Sequence, residues 1–160
     1  MESKFKSDVD SIYREVGSVV QASQHMEYAI GFSLTLIRQL DKGKLSNEVF
    51  DASMEKFSKN TFGRLIGAIK DHVDFDENSE AALMAALRER NYIIHDFFYD
   101  QPELIQTKDG RKQLLERLHQ TKDILRNGCL VLDGVAALLM RLNGLDLQDV
   151  MNEVQAGMEL

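Results

Sequence analysis

Residues 88–98 read Arg-Glu-Arg-Asn-Tyr-Ile-Ile-His-Asp-Phe-Phe, which sets a guanidinium (Arg90), an amide (Asn91) and an imidazole (His95) within six residues. These three groups suit phosphate chemistry. Imidazole changes charge near neutral pH and can take or return a proton. Guanidinium matches two phosphoryl oxygens at once and keeps its proton, so it clamps charge rather than acting as an acid. RNA carries a 2′-hydroxyl able to attack its own neighbouring phosphate. His95 would remove or return that proton, Arg90 would hold the phosphoryl oxygens as charge develops, and Asn91 would orient His95 or a phosphate oxygen. The products would be a 2′,3′-cyclic phosphate and a 5′-hydroxyl, with no metal and no cofactor. Tyr92 points off the apolar face and could stack on a base if exposed.

Helix geometry separates these roles. At about 100° per residue, Leu83, Leu87, Arg90 and Ile94 share a narrow sector, which turns Arg90 toward the core. Asn91 and His95 lie about 40° apart and can share a groove. Arg90 and His95 are about 140° apart around the axis and roughly 7.5 Å apart along it. One helix cannot easily aim both at one atom, whereas two copies facing across a two-fold axis could. The structural alternative pairs Arg90 with Glu89, Glu27 or a backbone carbonyl and leaves His95 to cap or pack, because a buried guanidinium demands a partner. Asp96 lies about 100° around the helix from His95. If the two met, the carboxylate would favour the charged imidazole and weaken it as a base.

The sequence arginine, polar residue, three further residues, histidine resembles the motif of HEPN-domain proteins. The longer stretch Leu87-Arg-Glu-Arg-Asn-Tyr-Ile-Ile-His-Asp-Phe-Phe98 looks like a HEPN motif helix in its apolar setting. The family's arginine falls on Arg90, its polar residue on Asn91 and its histidine on His95. The resemblance implies an all-α, HEPN-like up-and-down bundle of four to five helices and a homodimer with a site shared between protomers. It also implies a metal-independent endoribonuclease of the toxin or antiviral-defence kind. Other family members have lost catalysis and serve as binding or regulatory modules, so an antitoxin-like or regulatory protein is a second expected class of partner.

The elements that must position the motif are also legible. The chain has 160 residues, 44% hydrophobic and 28% charged, with one proline and no tryptophan. That composition fits one globular domain with few helix breakers. Ser7 and Asp10 could cap a first helix over about 8–40, with Ile12, Val16, Val19, Val20, Met26, Ala29, Ile30, Leu36 and Leu40 at helical spacing. Gly43 marks its end. Shorter helices are expected over 47–57 and 61–70, and Gly63 and Gly67 on the latter would share a face suited to close helix approach. A helix over 79–99 carries the motif on an apolar face of Leu83, Leu87, Ile94, Phe97 and Phe98. Leu104 and Ile105 follow Pro102 in a connecting turn. A last helix runs from about Asp109 to Leu142 on an apolar set that includes Leu114, Leu118, Leu125, Leu132, Leu138, Leu139 and Leu142. Gly128 and Gly134 could bend or divide it. Its first half is the most basic part of the chain, and Lys108, Arg111 and Lys112 would make a phosphate-facing rim or a solvated face. The expected domain spans 1–144, with 145–160 as an acidic tail or short docking helix.

Other chemistry is thinly represented. The net charge of −7 opposes a broad nucleic-acid surface but not a small basic cleft. Cys129 is the lone cysteine, so no disulfide framework or thiolate cluster is expected. Asp71, His72, Asp74 and Asp76 lack the glycine turn and terminal glutamate of a calcium loop, and read as a connector feeding a helix start near Asn78 or Ser79. His25, His72 and His119 have no zinc-helix spacing. No apolar run reaches membrane-spanning length and the first residues carry no apolar leader segment, so a cytoplasmic protein is expected.

Overall fold

The computed structural model describes residues 2–43, 46–100 and 102–146. Among them there is no strand, and the chain is all-α as the spacing of its apolar residues requires. In chain order the helices are α1 (Glu2–Lys42), α2 (Asn47–Ser58), α3 (Phe62–Lys70), α4 (Glu77–His95), the four-residue α5 (Phe97–Asp100) and α6 (Lys108–Leu142), with a 3-10 helix at Pro102–Gln106. The described residues therefore hold six α-helices rather than four or five. The extra one arises because the expected helix over 79–99 divides at Asp96.

The residues gather into two compact units. One comprises α1 up to Met26, α4, α5, the 3-10 helix and α6 up to Val131; the other comprises α1 from Glu27, α2, α3 and the part of α6 from Leu132.

The first unit carries the motif. Its buried hydrophobic residues are Ile12, Val19 and Met26 of α1, Leu83, Ala86 and Ile93 of α4, Phe97 of α5, and Leu114, Leu118 and Leu125 of α6. Each large aliphatic side chain removed from water contributes roughly 1.5–3 kcal/mol. Gly128 sets the closeness of approach. A methyl built on it would meet Ala86 Cβ at 2.8 Å and Met26 Cε at 2.6 Å, so α6 needs a glycine where it meets α1 and α4. That is why this glycine neither bends nor divides α6. Gly134 meets nothing within 4 Å, and α6 runs unbroken through both. Thr107 caps α6 by accepting from the Gly110 N–H at 3.0 Å.

In the second unit, Ala29, Ile30, Leu34, Leu36 and Ile37 of α1 are buried, as are Phe62, Leu65, Ile66 and Ile69 of α3 and Leu132, Leu139 and Met140 of α6. Arg38 Nη1 donates to Ser53 Oγ at 2.7 Å, and Asn143 Nδ2 donates to the Leu36 carbonyl at 3.2 Å. Gly43 adopts φ +82°, as its place after α1 requires. Gly144 adopts φ +70° and closes α6 in a Schellman motif, with Gly144 N–H on Arg141 O and Leu145 N–H on Met140 O.

Several expectations are corrected. α1 starts at Glu2, so Ser7 is inside the helix and its carbonyl accepts from Ser11 Oγ rather than the side chain forming a capping box. Gly63 and Gly67 are exposed, and nothing lies within 4 Å of a methyl on Gly67, so that face of α3 serves no close approach. Leu40, Leu138 and Leu142 are exposed rather than core. α4 begins two residues earlier than expected because Asp76 is its cap: Oδ1 accepts from the N–H of Asn78 and Ser79, and Oδ2 accepts from Ser79 Oγ at 2.6 Å. The hydroxyl of Ser79, then its N–H, hold the Asp76 carboxyl below the ordinary aspartate range. Of the expected tail, Leu147, Val150, Met151 and Val154 lie outside the described residues.

Candidate functional site

The motif helix is wound so that Leu83, Ala86 and Ile93 are buried, with Phe97 following in α5. Sequence spacing favoured Leu87, Ile94 and Phe98 on that stripe, but Leu87 is half-buried and Ile94 and Phe98 are exposed. On a helical wheel the buried stripe is turned roughly 50° from the expected one, toward Glu89. The physical cause is the small pair Ala86 and Gly128, which lets α6 press on that side of α4.

Arg90 stays within this stripe. Its side chain is half-buried with Nε shielded from solvent, and Nη1 donates to Asn91 Oδ1 at 3.2 Å. Asn91 is exposed. His95 is the last residue of α4 and is also exposed; among the described residues its imidazole makes no hydrogen bond or ion pair. The structure thus joins Arg90 to Asn91 and leaves His95 apart. Helix geometry sets His95 about 140° around from Arg90, facing away from the core.

α4 ends at Asp96, whose N–H still reaches the Tyr92 carbonyl at 2.9 Å with φ −119°. The Asp96 carbonyl then accepts from the N–H groups of Tyr99 and Asp100, starting α5. Aspartate is a poor interior helix residue, and Phe97 beyond the break is buried. Tyr92, Asp96, Tyr99 and Asp100 line an open depression of about 270 Å³ beside the end of α4.

Glu89 pairs with Arg117 rather than with Arg90. Arg117 Nη2 lies 2.9 Å from Glu89 Oε1 and 2.8 Å from Oε2, Thr121 Oγ1 donates to Oε2 at 2.8 Å, and Arg117 Nη1 donates to Thr121 Oγ1 at 3.2 Å. The Arg117 guanidinium also covers the Tyr92 ring at 5.0 Å. Tyr92 does not stand clear of the fold as expected. It is half-buried, edge-on to Phe97 at 6.2 Å. Burial, then the nearby Asp100 carboxylate, push its phenol above the ordinary tyrosine range, with Arg117 acting in the opposite sense.

The basic start of α6 divides in two. Lys108 and Lys112 are exposed and one turn apart. Arg111 is only 7% exposed: Nε pairs with Asp8 at 3.3 Å, Nη1 donates to the Ile105 carbonyl at 3.1 Å, and the guanidinium covers Phe5 at 4.7 Å. Its position was readable, since Arg111, Leu118, Leu125, Leu132 and Leu139 recur every seven residues and all are buried. The Glu89–Arg117–Thr121 cluster escaped the sequence reading. Its available signal was Arg117 and Thr121, four residues apart on one helix face.

Among the described residues, no three His, Cys, Asp or Glu side chains gather as a metal-holding group, and no helix is long and apolar enough to cross a membrane. Comparison with protein families, curated proteins and solved structures gives no match.

Proposed function

We propose that the chain is a HEPN-like homodimer that cleaves RNA without a metal ion, acting in the cytoplasm as a toxin or antiviral effector. His95 moves the proton of the attacking 2′-hydroxyl and of the 5′-oxygen that leaves. Arg90 clamps the non-bridging phosphoryl oxygens, and Asn91 holds the guanidinium in place. The observation that carries this reading is the Arg90–Asn91 hydrogen bond at 3.2 Å with an exposed imidazole one turn beyond it. Because Arg90 and His95 lie on opposite sides of α4, the site is completed by a second copy, each phosphate meeting one protomer's arginine and its partner's histidine. Lys108 and Lys112 are exposed cations in the first turns of α6 available to further phosphates.

The test is cleavage of mixed-sequence single-stranded RNA with EDTA present. The reading expects cyclic-phosphate ends, and loss of cleavage in Arg90→Ala and His95→Ala at unchanged oligomeric state. Intact RNA after incubation with pure wild type refutes it.

A second reading is a HEPN-like protein-binding or regulatory module without catalysis. The depression beside the end of α4, with Asp96 and Asp100 on its rim, favours it because carboxylates repel phosphate. Stable capture of a protein partner by an RNA-inert wild type would select it.

A further inference from the structure

α5 and the end of α4 present a surface of unusual make-up. Tyr99 is 87% exposed, Tyr13 56% and Phe98 39%. Ring contacts join them inward: Tyr13 lies on Phe98 at 5.5 Å, Phe98 on Phe97 at 5.0 Å, and Phe97 on Tyr92 at 6.2 Å. Tyr92 and Tyr99 in turn line the depression of about 270 Å³ whose other walls are Asp96 and Asp100. Among the described residues neither of these carboxylates has a side-chain hydrogen bond or a cationic partner. Large apolar side chains exposed around two unneutralised carboxylates mark a contact surface rather than an ordinary solvated one.

We propose that this face docks a basic, apolar polypeptide segment of another protein, with one arginine seated between Asp96 and Asp100. Charge complementarity selects the occupant. The carboxylates accept a guanidinium, the exposed Tyr99 ring offers a face to it, and Phe98 and Tyr13 take apolar neighbours of that arginine. The net charge of −7 draws a basic chain inward from a distance and repels a polyphosphate. The docking itself goes beyond the nuclease reading and does not depend on cleavage.

The experiment is selection of a displayed library of random twelve-residue peptides on the wild-type protein. The enriched peptides are then synthesised and their binding measured by fluorescence anisotropy on wild type, Asp96→Asn/Asp100→Asn and Tyr99→Ser. The altered side chains are exposed, and unchanged far-UV circular dichroism establishes that the variants fold. The expected result is enrichment of peptides with arginine beside leucine or aromatic residues. Their affinity should fall at least about tenfold on the double variant and weaken with salt. Their binding should slow amide exchange over 92–100, and His95→Ala should bind them as wild type does, so that failure of cleavage and failure of docking are read separately. The proposal is overturned by no enrichment over a bait-free control, by enriched peptides lacking basic residues, or by equal affinity for the double variant. It is also overturned if single-stranded oligouridylate protects 96–100 while the enriched peptides do not.

Discussion

Replacing Glu89 by alanine should lower the stability of the fold through one buried hydroxyl more than through the visible ion pair. The Glu89 carboxylate accepts from Thr121 Oγ1 and from Arg117 Nη2. Thr121 is fully buried, so removing its acceptor leaves the hydroxyl proton unpaired while Arg117 still donates to the oxygen, which costs about 1–3 kcal/mol. The Arg117 side chain is 36% exposed, so water takes over much of its solvation and the lost pair adds no more than about 1 kcal/mol. The sum is about 1–4 kcal/mol. Glu89→Gln keeps an acceptor and should cost about 1 kcal/mol. Thr121→Val removes the hydroxyl itself, so in the double variant Glu89→Ala/Thr121→Val the two effects should fall short of additive by about 1 kcal/mol. Urea unfolding followed by far-UV circular dichroism measures all four proteins, with comparable slopes confirming a common unfolded state. A Glu89→Ala change below about 0.5 kcal/mol, or full additivity in the double variant, refutes the reasoning.

Gly128→Ala should destabilise by up to about 2 kcal/mol. Crowding against Ala86 and Met26 costs about 1–3 kcal/mol, and the gain in helix propensity returns about 1 kcal/mol; a more stable variant in the same urea assay contradicts the close approach of α4 and α6. The lowered Asp76 carboxyl contributes stability above the ordinary aspartate range that is lost as pH falls through its lower folded-state value. Asp76→Asn keeps a cap without the titration, so the advantage of wild type should shrink on acidification below about pH 4, and a difference independent of pH would contradict it. The Tyr92 phenol should be the late-titrating tyrosine in an alkaline ultraviolet absorbance titration, and Tyr92→Phe should remove that late step; loss of an early step instead would contradict its burial.

The all-helical class and the bounds of α6 were readable because apolar residues recur at helical spacing over long stretches, and Gly43 and Gly144 have no other role that fits so well. That Arg90 turns toward the packed side of α4 was readable for the same reason, although the stripe itself is rotated from the expected one and leaves Arg90 half-buried. The direction of Tyr92 was not. A wheel drawn on size alone ranks Leu87 and Ile94 above Ala86, whereas the packing is decided by Ala86 meeting Gly128, a pairing between residues far apart in the chain. The end of α4 was missed because Phe97 and Phe98 prolong the apolar pattern past Asp96, although only Phe97 is buried. Arg111 and Lys112 read alike as basic residues, yet the seven-residue recurrence buries the first against Asp8 and leaves the second in solvent. Asn91 was read as sharing a groove with His95, whereas its side-chain oxygen accepts from Arg90. The partition of Glu89 to Arg117 depends on a contact between α4 and α6 that no local pattern states.

The most direct test of the shared site is complementation between inactive subunits. Arg90→Ala and His95→Ala proteins are mixed in equal amounts, unfolded, refolded together and assayed on single-stranded RNA with EDTA present. Random pairing makes about half the dimers mixed, and each mixed dimer holds one intact pocket of two, so activity should return to about a quarter of wild type. A mixture as inert as either variant alone, beside an active wild type and with mixed dimers verified by mass spectrometry, would contradict a catalytic site built from the arginine of one protomer and the histidine of its partner.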